Sequence, residues 1–315
     1  MVAMLSASVS SCKNNEEDNG GGSGGGGSTA NIPSPVIIDA NGVSYKVTSY
    51  GGQYGYQYSY DETGKLVKVQ NPSTSNWVAE FSNNGKLLVM KETSSSHSIT
   101  SNISFNANGF ISDMAVTFFE APADKGTEHI SCQYNSEGQL ISWTQKDSYT
   151  GEEDGESYSG SFEAKVTFTW ENRKLMKISE ESKYDEDGEK GSEKSESTFA
   201  YDSRANSARQ WLDIMGREIF DLTITESHAL APLGLFGHGP SILPKSYSYK
   251  RNQSQSSTST LTYTMNENGT IHSDNGRIYT YDGETRADMT PWSPEPNETR
   301  VRSLRARLRS RMINR

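Results

Sequence analysis

One short phrase recurs along this chain and constrains its fold more than any other feature: an aromatic, a turn containing Asp or Asn and then Gly, and an aliphatic. It reads Tyr60-Asp61-Glu62-Thr63-Gly64-Lys65-Leu66, then Phe81-Ser82-Asn83-Asn84-Gly85-Lys86-Leu87. It returns as Phe105-Asn106-Ala107-Asn108-Gly109-Phe110-Ile111, as Tyr134-Asn135-Ser136-Glu137-Gly138-Gln139-Leu140 and as Met265-Asn266-Glu267-Asn268-Gly269-Thr270-Ile271. Shorter copies are Trp170-Glu171-Asn172-Arg173-Lys174-Leu175 and Tyr184-Asp185-Glu186-Asp187-Gly188. An Asp or Asn side chain bonds the backbone just ahead of it, and Gly accepts φ > 0 without a Cβ clash, so the chain reverses there. The aromatic and the aliphatic then stand on either side of the reversal and pack on one face. Copies lie far enough apart for a return strand in each interval, which predicts an antiparallel meander.

The segments between turns have the matching period. Phe162, Ala164, Val166, Phe168 and Trp170 alternate with Glu163, Lys165, Thr167 and Thr169, as in a half-buried strand. Tyr54, Tyr56, Tyr58 and Tyr60 also fall on one face, and Ser256 to Thr264 is a Ser/Thr-rich run suited to a pleated, wet surface. Only 32% of residues are hydrophobic, and 16 Tyr supply rings whose polar ends can stay wet. The expected fold is all-β: a large antiparallel β-meander, curled or barrel-like, with a short helix/loop insertion near 206–245. Within that insertion Trp211, Met215, Ile219 and Leu222 approach a helical period, predicting a short helix that plugs or caps the open end of the sheet. The apolar, Gly/Pro-rich Ala229–Pro244 segment is expected to be a buried loop, the first place to look for a site. Tyr201-Asp202-Ser203-Arg204-Ala205-Asn206 lacks the Gly, which puts a tight hairpin there in question.

The net charge of −10 is unevenly placed. Thr299–Arg315 holds seven Arg and no acid; with those seven set aside from the 30 basic residues against 40 acidic ones, the remainder carries −17. Such a body repels phosphates, so no nucleic-acid partner is expected. Leu304, Leu308 and Met312 interleave with Arg302, Arg305, Arg307, Arg309 and Arg311, which as a helix would suit anionic headgroups; a solvated tail beyond Pro291, Pro294 and Pro296 is the simpler expectation. No apolar run is long enough for a membrane-spanning helix.

Two cysteines, Cys12 and Cys132, have no metal-ligand or CxxC spacing. Val9-Ser10-Ser11-Cys12 follows a short apolar, small-residue stretch and resembles a bacterial lipobox, which implies that Cys12 is lipidated. The stretch lacks a basic n-region and is short, as a truncated leader would be. Lys13-Asn14-Asn15-Glu16-Glu17-Asp18 and the run Gly20–Ser28 resemble the export signal and flexible tether of Bacteroidota surface lipoproteins. Cys132, between Ile130 and Tyr134 on one face, is expected to be a buried, inert thiol.

The turn phrase resembles the YD-repeat of shell-forming bacterial surface proteins. It is still more similar to an uncharacterised Bacteroidota lipoprotein family described as having a porin-like fold. That family carries a Gly-Phe-Gly…Leu-Pro segment, matched here by Leu233-Gly234-Leu235-Phe236-Gly237-His238-Gly239-Pro240 through Leu243-Pro244-Lys245. The resemblance spans roughly Val36 to Asp282 and implies residence at the outer membrane through the lipid anchor, on the cell surface.

The chain therefore divides into a signal peptide (1–11), a lipidated acidic and Gly/Ser tether (12–31), a β-meander domain (32–285) and a Pro-containing Arg-rich tail (286–315). No nucleophile elbow, P-loop or dinucleotide fingerprint is present. The five histidines are dispersed, and Asp185–Glu189 has its Gly too early for an EF-hand. No metal, no cofactor and no catalytic residue is expected. The Tyr54, Tyr56, Tyr58, Tyr60 stripe is the candidate ligand platform for a sugar, although the same alternation also fills a sheet interior. Three functions follow: a non-enzymatic surface lipoprotein binding a glycan or an envelope protein, an integral outer-membrane barrel, and a glycosidase or other hydrolase using paired carboxylates.

Overall fold

The computed structural model describes residues 35–39, 41–51, 55–71, 78–84, 87–93, 97–120, 124–153, 156–212, 227–252 and 256–282. A small hairpin, β1 (Ile37–Ile38) with β2 (Ser44–Tyr45), stands outside the main sheet. The meander then runs through β3 (Val47–Tyr50), β4 (Tyr56–Tyr60), β5 (Leu66–Gln70), β6 (Val78–Asn84), β7 (Leu87–Thr93), β8 (His97–Phe105) and β9 (Ile111–Glu120). Its longest strands are β10 (Asp124–Tyr134), β11 (Leu140–Glu153), β12 (Glu156–Glu171), β13 (Lys174–Glu186) and β14 (Glu189–Ala205). It shortens through β15 (Ile242–Arg251), β16 (Ser257–Thr260), β17 (Tyr263–Met265), β18 (Ile271–Asp274) and β19 (Arg277–Tyr281). All pairings are antiparallel; β19 pairs with β3 and β9 with β10, so the sheet curls into a ring. The ladder itself has one seam. β16 is laddered to β15 and β17 to β18, and between them the chain carries the wall, with Leu261 N–H donating to Lys245 O and Asn275 N–H to Thr262 O. The curled all-β meander expected from the turns is the fold.

Because successive strands alternate in direction, the signature turns collect at one end of the ring. In three of them the Asx side chain accepts two backbone N–H bonds: Asp61 from Thr63 and Lys65, Asn106 from Asn108 and Phe110, Asn135 from Glu137 and Gln139. Gly64, Gly109, Gly138 and Gly269 supply the left-handed φ of +73° to +85° that closes these turns. The Trp170 copy closes on two residues, Asn172 and Arg173, both at positive φ. The Tyr184 copy differs: Asp187 and Gly188 form a two-residue turn at the opposite end, because β13 runs away from the signature end. A copy not picked out from the sequence, Asp39 to Val43, turns the outlying hairpin, with Asn41 and Val43 N–H both donating to Asp39 Oδ1.

The aromatic of the phrase has a structural role beyond packing. The ladder shifts register at Tyr60, Phe105, Tyr134, Trp170, Tyr201, Met265 and Tyr281. Such a bulge turns the side chain and leaves a neighbouring carbonyl unpaired in the ladder. The polar tip of the aromatic then reaches back to the hairpin before it. Tyr134 Oη donates to Ile111 O (2.7 Å), Trp170 Nε1 to Leu140 O (2.8 Å), Tyr201 Oη to Leu175 O (2.7 Å) and Tyr281 Oη to Ile271 O (2.7 Å). Tyr60 Oη does the same to Val47 O (2.8 Å). Ile111, Leu140, Leu175 and Ile271 are fully buried, so each hairpin is locked to its neighbour at its aliphatic position.

The interior is apolar and the outer wall polar. On β12, Tyr158, Phe162, Ala164, Val166 and Phe168 point in, while Glu163, Lys165, Thr167 and Thr169 face water. Outward Lys–Glu pairs cross β11 to β14: Lys146–Glu163, Lys194–Glu181 and Lys177–Glu196. Among the described residues of the ring, Phe119 is the one exposed large hydrophobic.

Where the Gly-less copy was in question, Tyr201 keeps its bond, but the chain does not reverse there: the described residues 206–212 and 227–241 fill the signature end. Asn206 Nδ2 holds the two limbs together by donating to Gln210 O and Pro240 O. Trp211, Leu212, Leu230, Leu233, Leu235 and Phe236 are buried in it, with a 3-10 segment at Ser227–Leu233. His238 N–H donates to Gly138 O, Ile111 N–H to Leu235 O, and Gln210 Nε2 to Tyr281 Oη. The predicted buried loop is therefore present; Met215, Ile219 and Leu222 of the predicted helix lie outside the described residues.

Tyr134→Phe and Tyr201→Phe each remove one donor from a buried carbonyl and should each cost about 1–2 kcal/mol in urea unfolding, with additive losses in the double variant. Unchanged midpoints would mean that the rings act by packing alone.

Candidate functional site

The residues singled out from sequence fall in different places. Cys12 and Tyr54 lie outside the described residues. Tyr56 and Tyr58 are in the hydrophobic core; Tyr58 Oη donates to Ala229 O of the plug at 2.8 Å, and burial raises its pKa well above the ordinary phenol value. Tyr60 is half-buried, its hydroxyl committed to Val47 O and Lys46 Nζ set 5.5 Å from its ring centroid. Tyr58 packs wall to plug, Tyr56 lies in the core, and Tyr60 is bonded to the neighbouring strand, because the meander turns Tyr56 and Tyr58 inward and the ladder shifts register at Tyr60.

The chemistry inside the ring comes instead from polar residues at inward positions of the long strands. Glu128 on β10 and Asp147 on β11 are directly opposed, and Gln145 lies two residues from Asp147 on the same face. Gln145 Nε2 donates to both carboxylates, at 3.1 Å to Glu128 Oε2 and 2.7 Å to Asp147 Oδ2. Glu128 is 1% exposed and Asp147 4%. Further round the same face Ser182 is buried, Ser195 Oγ donates to Glu180 Oε2 (3.0 Å), and Arg251 Nη2 meets Glu193 at 2.5 and 2.7 Å. The result is a polar belt between two differently packed ends. On the signature side lie the plug and the aliphatic ring. On the far side aromatics lie flat over glycines of adjacent strands: a Cβ on Gly126 would collide with the Phe118 ring, one on Gly160 with Tyr149, and one on Gly191 with Tyr184.

Directly opposed Glu128 and Asp147 have Cβ atoms about 4.5–5.5 Å apart by strand geometry, close enough to act on one proton or one small cationic group. Among the described residues no group of three His, Cys, Asp or Glu side chains could hold a metal ion. The belt was missed in the sequence because its members are ordinary surface residue types. Parity is the signal that could have found it: Gln145 and Asp147 share the register of Trp143 and Tyr149, and Glu128 that of Ile130 and Cys132.

Other flagged groups have structural partners. His129 pairs with Asp113 on the outer wall at 2.5 Å. His238 packs edge-on to Phe110, with its pKa lowered by burial and by Arg209. In the acidic turn, Asp185 Oδ1 accepts Gly188 N–H and Asp187 Oδ1 accepts Ser159 N–H, so both carboxylates serve the hairpin. Cys132 is buried, and burial drives its thiol pKa far upward.

No protein-family model and no characterised protein matches this chain. Solved structures similar to it include a porin-like protein from Bacteroides vulgatus ATCC 8482, with 13% identity, 76% of this chain and 99% of that chain covered, and a TM-score of 0.48. Another is a porin-like protein from Bacteroides uniformis ATCC 8492, with 14% identity, 81% and 100% coverage, and the same TM-score of 0.48.

Two tests address the interior. Gln145→Glu sets a third carboxylate beside two, so it must bind a proton to stay buried; its folded pKa is raised, and stability is lost as pH rises. The deficit of this variant should be larger at pH 8 than at pH 5, and an equal deficit at both would contradict the belt. In the Cys12→Ser chain, Cys132 should resist iodoacetamide at pH 8 in the folded protein and react once urea unfolds it; prompt labelling of that native chain would contradict its burial.

Proposed function

We propose that this protein is a lipid-tethered envelope protein of the outer membrane, displayed at the cell surface, that works by binding a glycan or an envelope protein and not by catalysis. The observation that carries the reading is the polarity of the ring. A barrel that spans a bilayer turns an apolar band about 25 Å tall toward lipid and keeps its lumen polar. Here the outer wall bears Lys, Glu, Ser and Thr from β10 to β14, and the apolar side chains fill the inside. Such a wall favours water, so membrane residence has to come from elsewhere. The lipobox-like Val9-Ser10-Ser11-Cys12 and the Gly20–Ser28 tether supply a means. The non-enzymatic part rests on the carboxylates of the belt being committed to neighbours inside a filled ring.

Cell fractionation tests the reading. Made in a bacterium that processes lipoproteins, the chain should sediment with membranes, and Cys12→Ser should abolish that. A protease site placed within Gly20–Ser28 should release the body into the alkaline carbonate wash after cleavage. A body that stays in the bilayer through that wash would establish a spanning barrel in its place.

A further inference from the structure

We propose that Arg209, Arg173 and His238 at the signature end form a binding site for an oxyanion, and that the ligand it takes is the carboxylate of an acidic sugar. The inference deepens the glycan reading above and rests on it for the choice of a sugar as the carrier of the charge.

Backbone strain marks the two arginines. Six non-Gly residues among the described ones have positive φ. Four are Asn172, Asp187, Asn252 and Asn275, of the types that tolerate it; the other two are Arg173 (φ 63°) and Arg209 (φ 51°). Gly stands at the place of Arg209 in four other copies, as Gly64, Gly109, Gly138 and Gly269. A turn that only reverses the chain has no use for a long cation there, and strain of this kind is kept where a side chain has to be held in position.

The plug gathers these side chains. Its limb from His238 to Ser241 bonds to three turns in succession: His238 N–H donates to Gly138 O of the β10–β11 turn (2.8 Å), Gly239 N–H to Arg209 O (2.7 Å), and Ser241 N–H to Arg173 O of the β12–β13 turn (2.9 Å). Glu137 is the carboxylate among them, and it accepts from Arg173 Nε at 3.1 Å. Arg209, half-buried, has no such partner. Its Nε donates to Gly239 O (2.8 Å), its Nη2 is buried with no hydrogen-bond partner, and no carboxylate among the described residues is paired with it. Burial and Arg173 lower its pKa from the ordinary guanidinium value, with Glu137 acting in the opposite sense. An anion at the outer edge of this guanidinium would offset both the lost hydration and the neighbouring like charge.

The same geometry selects the ligand. Burial and Arg209 hold the His238 pKa below its ordinary value, so at neutral pH two cations face one carboxylate, and the surplus of one suits a monoanion. The planar fork of Arg matches the two oxygens of a carboxylate. A peptide carboxyl terminus is captured by backbone N–H groups, and here those of Gly138, His238, Gly239 and Ser241 are spent on carbonyls. Exposed His238 stands edge-on to half-buried Phe110, 5.2 Å between centroids, and the two rings offer the apolar face of a pyranose a surface beside the charge.

Calorimetric titration of the full chain, with Cys12→Ser so that no acyl group contributes, tests the site. Oligogalacturonate should bind, less tightly in high salt, and its methyl ester, which keeps the sugar and loses the charge, should not. Arg209→Gly restores the residue of the other copies and so keeps the turn; binding should fall by about tenfold or more. Glu137→Gln should tighten binding by about threefold, an effect that a damaged fold cannot imitate, whereas Lys146→Gln on the outer wall should leave it unchanged. The proposal is overturned if neither compound binds, if Arg209→Gly binds as the parent does, or if acid and ester bind alike, a result that would leave the glycan reading standing without the anion site. A peptide with a free carboxyl terminus that binds in preference to the sugar would overturn it from the other side.

Discussion

The ring depends on one bond repeated around its signature end: an aromatic N–H or O–H donated to the main-chain carbonyl of the preceding hairpin. A two-stranded hairpin is barely stable alone in water, and successive hairpins in a meander share only the ladder between them. At Tyr60, Tyr134, Trp170, Tyr201 and Tyr281 the ladder gives way to a bulge, and the side chain replaces the lost backbone bond with one that reaches past its own hairpin. The same bulge turns the ring inward over Ile111, Leu140, Leu175 or Ile271. One residue thus supplies both the curl and the lock. Phe105 and Met265 have the bulge without the donor, so shape is kept at those steps by packing.

The plug formed by residues 206–212 and 227–241 is a consequence of the same design. Asn206 occupies the Asx place of a signature turn, and Arg209 stands at φ 51° where a Gly would close it. Its N–H still donates to Asn206 O, as Gly138 N–H does to Asn135 O, so the first half of the turn forms. The chain then continues inward where the other copies reverse. The plug docks on the backbone of those other turns, at Gly138, Ile111 and Arg173, which are edges that a narrow turn leaves unpaired. Gly237 fits there only because it has no side chain: a Cβ would collide with Gly138 O.

How much of this the sequence disclosed follows from how local each cause is. An Asx–Gly turn is decided within five residues, so the copies at Asp61, Asn106, Asn135 and Asn266 could be read directly, as could the parity of Phe162 to Trp170. The Tyr184 copy has the letters of the phrase but the opposite direction, and direction is a property of the whole meander. The role of the aromatics as donors was hidden because their partners lie in the previous hairpin. The Tyr56–Tyr58 face was legible as a face and ambiguous as to what covers it; Ala229, far along the chain, settles that. The belt of Glu128, Gln145 and Asp147 was invisible to composition, since an acid on the inner face is the same letter as one on the outer.

That belt bears on why the ring is packed rather than hollow. A buried carboxylate pair costs more in lost hydration than its hydrogen bonds return, and apolar residues of like size would serve stability as well or better. It is placed midway between two apolar layers, where the plug ends and the glycine-backed aromatics begin. With Glu193 and Arg251 forming a two-pronged ion pair on the same face, the middle of the ring is held by directional bonds that accept few alternative registers. A meander whose strands alternate so regularly could slip by two residues and still bury an apolar face. A slip that sets Asp147 opposite Ile130 would carry Glu128 opposite Tyr149 and away from the Gln145 amide, so the belt penalises that register more than it rewards the right one.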